Sequence, residues 1–139
     1  MKIKKINNKI IARIDKGEEI VESLTKICKE NNVTLGSISG IGATNKVTIG
    51  LFKPELKKYQ SKKLIGDYEI APLCGNISTM DGKVYLHLHA NLCDEKQNSF
   101  GGHLNSAIVS ATFECIINIV NGQIDRKFDE ETGLNLFDL

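Results

Sequence analysis

From Ile108 to Val120 the chain alternates with a period of two. Val109, Ala111, Phe113, Cys115, Ile117 and Ile119 fall on one side, and Ser110, Thr112, Glu114, Ile116, Asn118 and Val120 on the other. An extended strand separates residues in this way, because successive side chains leave opposite faces of a pleated sheet. The first set reads as a core face. The second is part polar and part apolar, as expected where a strand lines a site or meets a neighbouring subunit. A strand of this length needs partners, so the rest of the chain must supply a sheet.

Those partners are legible. Lys9–Asp15 and Asn45–Phe52 read as strands, and Tyr68–Thr79 and Val84–Leu92 as a pair joined by Asp81-Gly82, a strong hairpin-turn signal. Asn121-Gly122 turns the chain, Ile124–Asp129 returns, and Leu134–Leu139 is an apolar tail. Only Gly17–Asn31 has helical periodicity. Ile20, Leu24, Ile27 and Cys28 share one face, with Glu18, Glu19 and Glu22 at the start and Lys26 and Lys29 near the end, complementing the helix dipole. Val33–Gly42 is rich in small residues. No helical pattern follows its Gly-x-Gly, so a phosphate loop fails its context, and close backbone packing or a bulge is expected. The class is α+β, a mainly antiparallel sheet with one principal covering helix. One helix leaves part of such a sheet bare, and oligomerisation is the natural remedy.

The 139 residues suit a single domain over 1–139. A formal charge of +1, from 18 basic and 17 acidic residues, argues against a dedicated nucleic-acid binder. The one basic concentration, Lys53, Lys57, Lys58, Lys62 and Lys63, reads as a loop or charge-protected edge and is the candidate contact for duplex DNA. Cys28, Cys74, Cys93 and Cys115 lack metal-finger spacing and read as small buried hydrophobes; Cys93 is near enough to the histidines to be weighed as a fourth ligand. No signal-peptide core or membrane-length apolar run is present, so a cytoplasmic protein with reduced thiols and no membrane contact is expected.

All three histidines lie close together: His87 and His89 in Leu-His-Leu-His-Ala, and His103 after Gly101-Gly102. On a strand His87 and His89 share a face. Neutral imidazole is the commonest ligand for zinc and related ions, and three with one open position is the pattern of a reactive or ligand-binding metal rather than a closed structural one. The alternative is three ordinary hydrogen-bonded strand histidines. The Gly101-Gly102 pair allows the close approach needed for convergence within one subunit. Asn91, on the His89 face, is a candidate ligand-pocket residue. Glu69 and Glu114 are candidate general acid or base groups by strand position alone, with pairing or solvation as the alternative.

Together these segments resemble the plants and prokaryotes conserved domain (PPC or PCC) across nearly the whole chain. The resemblance is carried by Arg13 followed by Gly17-Glu18-Glu19, Ser39-Gly40-Ile41-Gly42-Ala43, and Tyr68-Glu69-Ile70 with Gly75-Asn76-Ile77. It continues in His87-Leu88-His89-Ala90, Gly101-Gly102-His103-Leu104, the Thr112–Ile117 strand and Thr132-Gly133-Leu134. It implies a homotrimer of compact α+β subunits. For stand-alone prokaryotic members it implies a divalent metal, usually taken as zinc, at positions matching His87, His89 and His103, and it brings the family's label of predicted DNA-binding proteins. Plant members read DNA through a preceding Arg-Gly-Arg-Pro hook, which this chain lacks. Their Gly-Arg-Phe-Glu-Ile-Leu partner segment is here Gly66-Asp67-Tyr68-Glu69-Ile70-Ala71, with an acid in place of the arginine. Three functions follow as expectations: a metal-dependent trimer that binds or acts on a small ligand, a DNA-associated regulator, and a protein-interaction scaffold.

Overall fold

The computed structural model describes residues 1–139. Eight strands and one α-helix follow in the order β1 (Lys2–Ile6), β2 (Lys9–Asp15), α1 (Ile20–Glu30), β3 (Gly36–Lys53), β4 (Lys58–Met80), β5 (Lys83–Cys93), β6 (Ser99–Ile119), β7 (Arg126–Asp129) and β8 (Leu134–Phe137). A single 3₁₀ turn at Pro54–Leu56 joins β3 to β4. The main sheet runs β1-β2-β6-β3-β4-β5, all antiparallel, and β5 also pairs with β6. That extra pairing closes β3, β4, β5 and β6 on themselves. β7 and β8 form a separate hairpin.

The core is aliphatic, with Phe113 as its largest side chain. Ile10, Ala12 and Ile14 of β2, Ile38 and Val47 of β3, Ile70, Leu73 and Ile77 of β4, Leu88, Ala90 and Leu92 of β5, and Phe113, Cys115 and Ile117 of β6 are all buried. Helix α1 covers them with Ile20, Leu24, Ile27 and Cys28. Burial pushes the thiols of Cys28 and Cys115 up to about 12, consistent with inert core residues.

Several expectations are corrected. The helix starts at Ile20 rather than Gly17, because Gly17 holds a left-handed φ of 88° and Glu19 is the cap. β1 pairs with β2 although all five of its residues are exposed. Of the two readings of the lysine-rich segment, loop or charge-protected edge, the strand reading holds outside the Pro54–Leu56 turn: β3 and β4 run on as a hairpin to Lys53 and Lys58. Ala111 is exposed, because β6 spends four steps between Val109 and Phe113 where β3 spends two between Thr44 and Gly42, and the surplus bulges outward. Cys74 is exposed and Cys93 half-buried.

Glu19 fastens the helix to the sheet. One carboxylate oxygen accepts from the Glu22 amide at 2.6 Å, capping the first turn, and the other accepts from the Ala107 amide of β6 at 2.7 Å. Glu19→Ala orphans both donors and is expected to cost about 1–2 kcal/mol. Glu19→Gln keeps an acceptor and should cost distinctly less. Urea unfolding of both variants measures the difference.

Candidate metal centre

The site forms where the sheet closes. In β5 the even positions Leu88, Ala90 and Leu92 enter the core, which turns Tyr85, His87 and His89 to the opposite face. His89 stands directly across from His103 of β6, and His103 is also paired with Gly50 of β3. The third imidazole is therefore supplied by the residue at which β6 bridges two neighbours. A side chain on Gly102 would put its Cβ 2.6 Å from the Gly50 carbonyl oxygen, and one on Gly101 would put it 2.4 Å from the Ala90 carbonyl oxygen. The glycine pair is a close-packing device inside a strand rather than a hinge.

The three rings converge within one subunit. His87 and His89 present their Nε2 atoms 3.2 Å apart, and the ligand atoms of all three histidines lie within 4.8 Å of one another. A tetrahedral ion bound to imidazole nitrogens at about 2.0–2.1 Å separates those nitrogens by roughly 3.3–3.4 Å. The His87–His89 spacing fits that edge, and the widest spacing allowed by 4.8 Å is closed by a modest ring rotation. Desolvation first, then His103, His89 and Arg126, hold His87 below the ordinary imidazole value; desolvation and His89 do the same to His103. Both shifts favour the neutral ring, which is the ligating form. Tyr59 sets its ring edge-on to His103 at 6.0 Å and donates its hydroxyl hydrogen to Asn105 Oδ1 at 2.6 Å.

The histidines open onto a cavity of about 590 Å³. Its walls are the β3–β4 hairpin (Gly50, Leu51, Phe52, Tyr59), β4 and β5 (Asn76, Tyr85), and the β7–β8 hairpin (Arg126, Leu134, Leu136, Phe137). Lys57 Nζ donates to the Glu130 carbonyl at 2.5 Å and joins the two hairpins.

Other expected site residues lie elsewhere. Glu69 and Glu114 are exposed, and no carboxylate lines the cavity. Glu114 sits on the outer face of the sheet between Arg13 of β2 and Ile41 of β3. Asn91 is outside the cavity too: it donates to the Ala71 carbonyl at 3.1 Å and accepts from the Ser99 hydroxyl at 2.8 Å. Cys93 is not part of the histidine group. Arg126 is the cavity residue that sequence reasoning passed over. Its only local signal is a basic residue opening a short strand between a turn and an apolar tail.

Comparison with known proteins agrees with this picture. The family model of the Plants and Prokaryotes Conserved (PCC) domain matches residues 1–121. The structure is similar to that of a suspected DNA-binding protein from Bacteroides thetaiotaomicron, with a TM-score of 0.96 and 39% identity over 99% of this chain and 96% of that one. It is similar to a metal-containing protein from Archaeoglobus fulgidus (TM-score 0.87, 33% identity, 96% and 94% covered). It is also similar to a plant- and prokaryote-conserved protein from Pyrococcus horikoshii (TM-score 0.87, 30% identity, 99% and 94% covered). No curated protein matches significantly. A model match over most of the chain, joined to these likenesses at 30% identity or more, makes the chain a member of the PCC domain family.

Proposed function

We propose that this protein is a stand-alone, homotrimeric PCC-domain protein that holds a divalent ion, zinc in the first instance, on His87, His89 and His103 and binds or acts on a small ligand in the adjoining cavity. The observation that carries the reading is the convergence of three imidazoles at the wall of a cavity large enough for a small molecule. When bound, a divalent ion with three neutral ligands supplies Lewis-acid polarisation of a ligand oxygen. The chain's own residues do the rest. The Tyr59 ring holds His103 in place, the apolar β8 wall excludes water, and Arg126 supplies the cavity's positive charge. The metal-containing Archaeoglobus relative supports the reading. A cytoplasmic location is part of the proposal and suits four unpaired cysteines.

Elemental mass spectrometry of untagged protein is expected to give about one ion per chain. His89→Ala should lose it, and Gly102→Ala, which drives a methyl group against the Gly50 carbonyl, should hold much less than wild type. Absence of metal after soaking with zinc would refute the reading.

Trimer formation is supported by the outer face of the sheet. Ile41 and Ile116 are 63% and 44% exposed, and Ile116 faces Ile11 and Ser39 across its two neighbouring strands. Such a patch is unfavourable on a monomer. Sedimentation velocity should report a mass near three chains for wild type and a smaller species for Ile116→Asp; a monomeric wild type removes this part of the proposal.

A second reading, association with duplex DNA, is favoured by the Bacteroides relative and by the β3–β4 hairpin. Strand alternation puts Lys53, Lys58 and Lys62 on one exposed face of it, while Lys63 takes the other and Lys57 is engaged by Glu130. Lys53 and Lys58 are direct cross-strand partners, a like-charge pairing that an anion would relieve. Binding through them must weaken steeply as salt rises. No shift of duplex DNA at low salt would eliminate the reading.

A further inference from the structure

Arg126 is nine-tenths buried, at 9% exposure, and no carboxylate pairs with it. Its Nε donates to the Ser78 hydroxyl at 2.8 Å, Nη1 to the Asn135 carbonyl at 2.7 Å and Nη2 to Asn76 Oδ1 at 2.8 Å. All three acceptors are neutral. A guanidinium has five N–H donors and cannot shed its charge in a protein, so two donors and a whole positive charge are left over. The group is clamped between aromatic faces, 4.8 Å from the Tyr85 centroid and 4.3 Å from that of Phe137. Burying an uncompensated charge is costly, and a well-packed neutral residue would tie the β7–β8 hairpin down at least as well.

Its surroundings show where the missing negative charge belongs. Arg126 is the one charged side chain on the wall of the cavity that the histidines share, and no acid lines that wall. Tyr85, under the guanidinium, precedes His87 by one two-residue step on the same strand face, and Asn76, which holds Nη2, stands directly opposite His87. Leu51, Phe52, Leu134, Leu136 and Phe137 supply apolar wall around this one cation. A planar fork with two N–H groups to spare matches the two oxygens of a carboxylate, and the apolar wall matches a hydrocarbon body.

We propose that Arg126 is a binding residue for the carboxylate of a small organic acid, whose hydrocarbon part lies along Phe52, Leu134 and Phe137 and whose far end reaches the histidine cluster. This deepens the small-ligand reading above and rests on it for the role of the histidines. The anion-binding step itself does not require the metal.

Isothermal titration calorimetry with hexanoate and with hexanamide, on chelator-treated protein and on zinc-loaded protein, tests it. Hexanoate should bind chelator-treated wild type at least tenfold more tightly than the amide, the margin expected for a charge-assisted hydrogen-bond pair. Arg126→Gln should abolish that preference. Arg126→Lys, which keeps the charge but not the fork, should keep the fold and retain only part of it. In wild type, the Arg126 Nη–H resonances should shift on adding hexanoate and stay still on adding hexanamide, a readout independent of any variant's folding. Equal binding of acid and amide, no binding of either, a preference for inorganic phosphate over hexanoate, or a preference that survives Arg126→Gln would each overturn the proposal. Failure to load zinc would overturn the metal reading alone, since the anion arm is measured without metal.

Discussion

The site depends on one backbone arrangement, the double pairing of β6 at His103. There the strand is opposed by His89 of β5 on one side and by Gly50 of β3 on the other. A sheet register fixes every side chain's face at once, and a slip of one residue would send His89 into the core and Leu88 out of it. The imidazoles therefore need no loop to gather them. They inherit their places from the same hydrogen bonds that close β3, β4, β5 and β6, and Gly101 and Gly102 let β6 come close enough to the backbones of β5 and β3 for that closure.

Much of this was readable in the sequence, and the failures have physical causes. Alternation in β5 and β6 showed both strands, and the His-x-His spacing gave a shared face for His87 and His89. The glycine-rich 36–42 stretch was correctly read as close packing: a Cβ on Gly42 would meet the Cα of Phe113 at 2.7 Å. Its continuity with Asn45–Phe52 as one strand was hidden, because irregular register between Gly40 and Gly42 and between Thr44 and Lys46 breaks the period. β1 was hidden for the opposite reason. Lys2–Ile6 buries nothing, so no core face marks it. The lysine-rich part of the β3–β4 hairpin left loop and charge-protected edge undecided, because its lysines report solvent rather than backbone pairing.

The candidate glutamates Glu69 and Glu114 lie outside the cavity for a different reason. Strand position tells which face a residue takes, not how far along the strand a site lies: Glu114 is far along β6 from His103. Glu114 lies on the outer side, beside the exposed isoleucines, and the cavity is left with three imidazoles, one guanidinium and no acid. Arg126 was invisible because its meaning is tertiary: it becomes a cavity residue only when the C-terminal hairpin folds back over Ser78 and Asn76. The outcome is a basin of positive and electron-pair-donating groups walled by apolar side chains. That balance suits a metal ion and an organic anion better than it suits proton transfer by a protein carboxylate.

The most direct measurement is anomalous diffraction from crystals of the zinc-loaded protein, collected on either side of the zinc absorption edge. The account predicts one peak per subunit at about 2.0–2.1 Å from a ring nitrogen of each of His87, His89 and His103. A peak at Cys74 or Cys93, at a surface carboxylate, or no peak among the three rings would contradict it.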